Sequence, residues 1–298
     1  MSTPAFKLPS FAKINWSLEI LGRRDDGYHE IKTLLQTVSL QDEIHFSPRE
    51  SADIVLSCND PAIPLDDGNL IIRAANALRE RFNFTGGATI HLEKRIPVKG
   101  GLGGASSNAA VALLGLARLW NLPANLNELQ GIGAWLGADV PFFFVGGCAL
   151  ATGTGTDIES VAEEGLKYLL IITPKATVAT AEAYEALKAP ALTTSSEVSI
   201  LSISHAAGDL ELSHLWVPRN DFEETIFACE PEIERARNAL REVGAGSALL
   251  AGSGSSVFGI FECKEEQERA VREMEAETGW RVFPAVTVSR DEYLRALG

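Results

Sequence analysis

From residue 12 the chain alternates: Ala12, Ile14, Trp16, Leu18 and Ile20 fall on one side, and Lys13, Asn15, Ser17 and Glu19 on the other. A period of two predicts a half-buried strand. Residues 22–27, with a glycine at each end, supply a turn, and strand-like runs over 33–40 and 43–47 predict an antiparallel meander. Residues 69–81 read as a helix, and 89–93 as a strand with Ile90 and Leu92 opposed to His91 and Glu93. Residues 109–120 are apolar on nearly every side, which predicts a buried helix. A second helix over 127–136 ends at Gly137.

Beyond residue 160 the rhythm resets. A buried strand at 168–173 precedes a helix at 180–188 and a surface loop at 190–197 rich in Thr and Ser. Then follow a helix (231–243), a strand (248–250), a glycine turn (252–254), a strand (257–261), a helix (265–277) and a strand (281–288). Two domains are expected, 1–160 and 161–298. Neither an internal repeat nor a low-complexity tract interrupts them.

Composition narrows the function classes. Lys and Arg total 26 against 40 Asp and Glu, a formal charge of −14. That sign argues against a nucleic-acid or anionic-membrane partner, although a local nest of amides can hold a small anion in an acidic protein. The longest small or apolar stretch, 109–117, is far short of the roughly 20 residues needed to cross a bilayer. The first eleven residues carry prolines at 4 and 9 and no continuous apolar run, so no signal peptide is read there. A soluble, cytoplasmic protein is the expectation. Cys58, Cys148, Cys229 and Cys263 are scattered without C-x-x-C spacing and are expected to be reduced thiols. His45, His91, His205 and His214 have no site-like spacing.

The segment Pro97-Val98-Lys99-Gly100-Gly101-Leu102-Gly103-Gly104-Ala105-Ser106-Ser107 opens the buried helix. Its glycines let the backbone approach a ligand closely, and the free N–H groups of the helix behind it face an anion. Such a construction holds phosphate; the plain alternative is a turn with Ser106 or Ser107 as helix N-cap. Neither a G-x-x-x-x-G-K-[ST] nor a G-x-G-x-x-G pattern occurs, which excludes the P-loop and Rossmann solutions. Protein-kinase triplets are absent too. Asp139 stands beyond a helix end in apolar surroundings, where a buried carboxylate needs a partner. Lys13, on the polar face of the first strand, is a candidate for it, and Asn15 shares that face.

Residues 97–110 resemble the nucleotide motif of the GHMP kinases, the superfamily of galactokinase, homoserine kinase and mevalonate kinase. Ala12-Lys13-Ile14-Asn15 with Gly27-Tyr28-His29, then Gly137-Ala138-Asp139-Val140-Pro141, then Gly252-Ser253-Gly254, stand in the order and rough spacing of one branch, and the resemblance covers nearly the whole chain. Lys99, Ala105 and Ala251 depart from the branch's usual residues.

The resemblance implies an α+β fold with an N-terminal nucleotide-binding α/β domain, containing a left-handed βαβ crossover, and a C-terminal α/β sandwich. It also implies transfer of the ATP γ-phosphoryl group, with Mg²⁺, to the 2-hydroxyl of a cytidine diphosphate-linked methylerythritol, a step toward isoprenoid precursors. Lys13 and Asp139 are then the catalytic pair, residues 97–107 and Asn69 (otherwise a helix N-cap) the ATP site, and Ser106 or Ser107 an oxygen for phosphate or metal. Asn15, Tyr28, His29, Tyr184, Gly252, Ser253 and Gly254 would line the substrate site. Other kinases of the superfamily, of homoserine or mevalonate type, and a catalytically silent nucleotide-binding relative are the alternatives. A monomer or weak homodimer is expected.

Overall fold

The computed structural model describes residues 4–176, 178, 180–187, 189–190 and 217–298. The loop expected at 190–197 lies, from residue 191 onward, outside them. Two long antiparallel strands form the centre of the first sheet: β1 (Phe6–Arg23) and β2 (His29–Arg49). The alternation expected over 12–20 is present, but neither face meets solvent. Ala12, Ile14 and Trp16 pack into one core, and the polar side is buried as well: Lys13 is 4% exposed, Asn15 2% and Ser17 0%. β1 is an interior strand, paired to β2 on one edge and to the two-residue β8 (Arg219–Asn220) on the other. Polar groups buried in such a strand need partners, and Lys13 and Asn15 find theirs in the site described below.

The two runs expected at 33–40 and 43–47 form the single strand β2. Its early part pairs with β5 (Cys148–Thr152) and its late part with β4 (Gly87–Glu93). Between them the β1 register slips, from Phe11 opposite Gln41 to Ala12 opposite Val38. β3 (Ile54–Cys58) runs parallel to β4, with α1 (Leu70–Phe82) crossing between them, so this crossover ends just upstream of the glycine loop. β6 (Asp157–Ser160) pairs with β5. β3, β5, β6 and β8 carry weak patterns and were not legible as strands in the sequence. Helices α1, α2 (Gly104–Leu119) and α3 (Leu126–Leu136) bury Ile71, Leu78, Val111 and Leu113, together with Phe142 and Phe143, against one face of this sheet.

The second sheet has the order β11 (Trp280–Val286), β7 (Tyr168–Pro174), β10 (Val257–Phe261), β9 (Ser247–Leu250), all antiparallel. Its strands are apolar on both sides because both sides are covered. Leu170 and Ile172 meet α4 (Thr180–Leu187), α5 (Glu223–Cys229), α6 (Pro231–Glu242) and α7 (Lys264–Met274); Leu169, Ile171 and Phe258 meet Ala12, Ile14 and Trp16 of the first sheet. Two sheets therefore lie back to back with helices outside.

Residues 161–167 join β6 to β7, and so the first sheet to the second. Two later segments return across that link: β8, and α8 (Arg290–Leu297), whose fully buried Tyr293 donates its hydroxyl to the Phe143 carbonyl at 2.6 Å. The four cysteines are free thiols.

Candidate active site

The glycine loop turns into α2 at Gly103, which has φ +68° and caps the helix without any side-chain bond. The helix therefore starts earlier than the apolar run suggested, and neither Ser106 nor Ser107 is its cap. Ser107 N–H bonds to the Gly103 carbonyl, whereas the first-turn N–H groups of Gly104, Ala105 and Ser106 have no carbonyl one turn back to reach. They form an anion seat at the positive end of the helix. Ser107 Oγ is fully buried and accepts from Ser10 Oγ at 2.8 Å. Ser106 is half-buried, and its hydroxyl has no hydrogen bond among the described residues, so of the two it is the one open to a phosphate or metal.

Part of the glycine content serves contact between the domains. A Cβ on Gly101 would overlap the Ala251 carbonyl oxygen and come within 2.8 Å of Gly254 N; one on Gly254 would overlap Gly101 in turn. This approach lets Ser255 N–H donate to the Lys99 carbonyl at 3.3 Å and Ser256 N–H to the Gly100 carbonyl at 3.1 Å. Pro97 and Leu102 are buried, while Val98, Lys99 and Ala105 face solvent. Lys99 holds φ +58°, a conformation that favours glycine.

Across from the seat, Lys13 Nζ lies 3.6 Å from Asp139 Oδ2 and donates to Asn15 Oδ1 at 2.9 Å. Asn15 Nδ2 donates to Thr33 Oγ1 at 2.7 Å, and Thr33 in turn donates to the Ser17 carbonyl at 2.6 Å. This chain satisfies Lys13 and Asn15, whereas the buried Ser17 hydroxyl on the same face has no hydrogen bond among the described residues. The lysine stem runs along Gly103, where a Cβ would lie 2.8 Å from its Cγ, and the second glycine turn closes over its tip, with a Cβ on Gly252 at 3.3 Å from Nζ. Asn220 Nδ2 pins that turn by donating to the carbonyls of Leu250 and Gly252. Asp139 differs from expectation. Its side chain is 42% exposed, on the link between α3 and the 3₁₀ turn Pro141–Phe144; the buried partner is the lysine. Its carboxylate is thus free to meet a substrate on the side away from Lys13.

Beside this pair stands an aromatic stack. The Tyr184 ring lies 4.7 Å from His29 and 4.8 Å, edge-on, from Phe222. Burial pushes the Tyr184 hydroxyl up to about 12, with the Asp139 charge adding to it. Burial, and then the Arg23 charge, hold the His29 imidazolium below its usual value. Tyr28, 66% exposed, projects from the turn before β2.

Asn69 caps α1 by accepting from Ile71 N–H at 2.9 Å and donates to the Pro64 carbonyl at 2.8 Å; both ends of its amide are spent locally. Phe222, Asn220 and Thr33 were not singled out in the sequence. They lie on elements too short or too plain in pattern to signal a site.

Known proteins match this arrangement. The GHMP kinases N terminal domain model matches residues 69–147 and the GHMP kinases C terminal model residues 203–279. With the anion seat and the facing lysine–aspartate pair, these matches define a small-molecule kinase of the GHMP class that uses ATP. A 4-diphosphocytidyl-2-C-methyl-D-erythritol kinase of Synechococcus sp. (strain JA-3-3Ab) is 40% identical over 87% of this chain and 86% of its own. The kinase of the same description from Prosthecochloris aestuarii is 38% identical over 94% and 98%. The crystal structure of a 4-(cytidine 5'-diphospho)-2C-methyl-D-erythritol kinase superposes with a TM-score of 0.75 at 32% identity, covering 95% of this chain and 99% of that one. The chain belongs to the 4-diphosphocytidyl-2-C-methyl-D-erythritol kinase family.

Proposed function

We propose that this chain transfers the γ-phosphoryl group of ATP to the 2-hydroxyl of 4-diphosphocytidyl-2-C-methyl-D-erythritol, in the non-mevalonate route to isoprenoid precursors. The observation that carries this reading is the Lys13–Asp139 pair at 3.6 Å, with the lysine stem against Gly103 at the open N-terminus of α2. Phosphoryl transfer asks for positioning and for charge stabilisation more than for covalent chemistry. The amides of residues 104–106 and the Ser106 hydroxyl bind phosphate oxygens. Lys13, fixed by Asn15, draws negative charge off the attacking alcohol. Asp139 takes or orients its proton, and Asn15 keeps one N–H and one lone pair for a substrate hydroxyl. The His29–Tyr184 stack, with Tyr28 beside it, takes the cytosine ring and distinguishes this substrate from a plain alcohol.

Among the described residues no group of three or more acidic, His or Cys side chains can hold a metal. Mg²⁺ fits such a site only through ATP oxygens, waters and one protein oxygen, for which Ser106 is the candidate. There it would neutralise phosphate charge. Among the described residues no helix is long and apolar enough to cross a membrane. We take the working unit as a cytoplasmic monomer or weak homodimer, since one chain supplies every group named here. The test is coupled ADP release with the cytidylyl alcohol, and with homoserine and mevalonate as competing acceptors. Turnover of the cytidylyl alcohol alone is expected; equal turnover of the other acceptors, or none at all, removes the assignment. Asp139→Asn should lower kcat by about a hundredfold or more while ADP still raises Tm.

A further inference from the structure

Asp42 takes no part in the chemistry above, yet it is fully buried and accepts four hydrogen bonds. Its Oδ1 accepts from Arg95 N–H at 2.7 Å and Ile96 N–H at 2.8 Å. Its Oδ2 accepts from Lys94 Nζ at 2.8 Å and Asn108 Nδ2 at 2.9 Å. Lys94 is itself nearly buried and also donates to the Ile96 carbonyl at 2.5 Å. Asn108 donates further to Ser10 Oγ at 2.8 Å, and Ser10 to Ser107 Oγ at 2.8 Å. One carboxylate on β2 therefore grips the chain just before the glycine loop with one oxygen and the helix just after it with the other.

An ion pair this deep repays its desolvation only when its lone pairs and protons are satisfied; here the carboxylate accepts four bonds and the ammonium makes two, and such a pair often adds little net stability over apolar packing. The arrangement does define geometry. Both ends of the loop at 97–107 are tied to a single rigid strand, and a Cβ on Gly104 would lie 3.2 Å from Lys94 Nζ, so the ammonium sits directly under the first turn of α2. We propose that Asp42 is a positioning residue for nucleotide binding: it fixes residues 94–96 relative to the first turn of α2, so that the amides of 104–106 are aimed before ATP arrives. Preorganised donors of this kind need no rearrangement when the anion binds, which is what lowers KM. Lys94 offsets the carboxylate charge that would otherwise oppose the phosphates.

This rests on the kinase reading, and the unmodified chain separates the two failures: absence of ADP release from it removes that reading before any variant is made. Asp42→Asn keeps an oxygen for Arg95 and Ile96 but turns a donor amide toward Lys94 and Asn108. The KM for ATP is expected to rise about tenfold, about 1.4 kcal/mol, while the KM of the cytidylyl substrate at saturating ATP stays within twofold. The double variant Asp42→Asn with Asn108→Asp restores one acceptor between the two positions, and the ATP KM should return to within threefold of the original. A merely structural role predicts something else: a lower Tm and a smaller active fraction with the ATP KM unchanged, or no recovery in the double variant. Either result overturns the proposal. Should Asp42→Asn fail to fold, Asn108→Ala keeps the Asp42–Lys94 pair and cuts the tie of α2 to Asp42 together with its bond to Ser10, and Ser10→Ala is the control for the second loss. A rise of about threefold in ATP KM supports the assignment, and an unchanged value refutes it.

Discussion

Two glycine-to-alanine changes separate the roles that glycine plays in this chain. At Gly101, with φ +76°, a Cβ collides with the Ala251 carbonyl and stands 2.8 Å from Gly254 N. Both obstacles are backbone, so neither can swing aside, and the two glycine turns must separate. The positive φ costs about 1 kcal/mol in a residue with a side chain. Loss of the Ser255 N–H to Lys99 carbonyl and Ser256 N–H to Gly100 carbonyl bonds adds about 1 to 3 kcal/mol at the usual net value per bond. Gly101→Ala should therefore forfeit about 2 to 4 kcal/mol. Because the break falls in the phosphate loop, kcat/KM for ATP should drop at least thirtyfold or so at 1.36 kcal/mol per decade. At Gly131, in α3, a Cβ meets nothing within 4 Å. Gly131→Ala should raise stability by about 0.5 to 1 kcal/mol and leave kinetics alone. Coupled ADP release and thermal unfolding of both variants check the pair. A Gly101→Ala enzyme within threefold of the original in kcat/KM for ATP would refute the docking of the two turns as the reason for that glycine.

The remaining predictions concern the substrate side and the brace beneath Asp139. Tyr28→Ala should raise the KM of the cytidylyl substrate without changing the KM of ATP or Tm, since the ring is exposed and has little packing to lose; an unchanged substrate KM removes Tyr28 from the site. Tyr184→Leu should raise the same KM about five- to a hundredfold, the range of base–aromatic stacking. Burial and Arg23 both disfavour the charged imidazole, so at the pH where a free histidine, at about 6.5, is half protonated, His29 is less than half protonated. The substrate KM should accordingly rise as pH falls with its midpoint below 6.5; a rise centred at or above 6.5 contradicts the assignment. Tyr293→Phe leaves the Phe143 carbonyl without its 2.6 Å donor, and calorimetry should show about 1 to 3 kcal/mol lost; an unaltered Tm rules out the brace.

Local pattern fixes what depends on neighbours along the chain. The long strand through Lys13 and Asn15, the helix behind the glycine loop and the apolar strand at Tyr168–Pro174 were all readable, because periodicity and glycine placement act within a few residues. The motifs also singled out Lys13, Asp139 and the glycine loop, and the fold brings the first two to 3.6 Å. What required the tertiary structure was which side of each element is covered. The polar face of β1, patterned like a solvated one, is sealed by Thr33, Gly103 and the turn at Gly252. Asp139, patterned like a buried carboxylate, lies half open, and the buried member of its pair is Lys13. Asp42 reads as a polar interruption between two strands, yet its four donors come from residues 52 to 66 positions away. Burial and charge pairing are properties of surfaces brought together by folding, so a single strand's sequence states which groups need partners, and only the packed sheets decide which partners they receive.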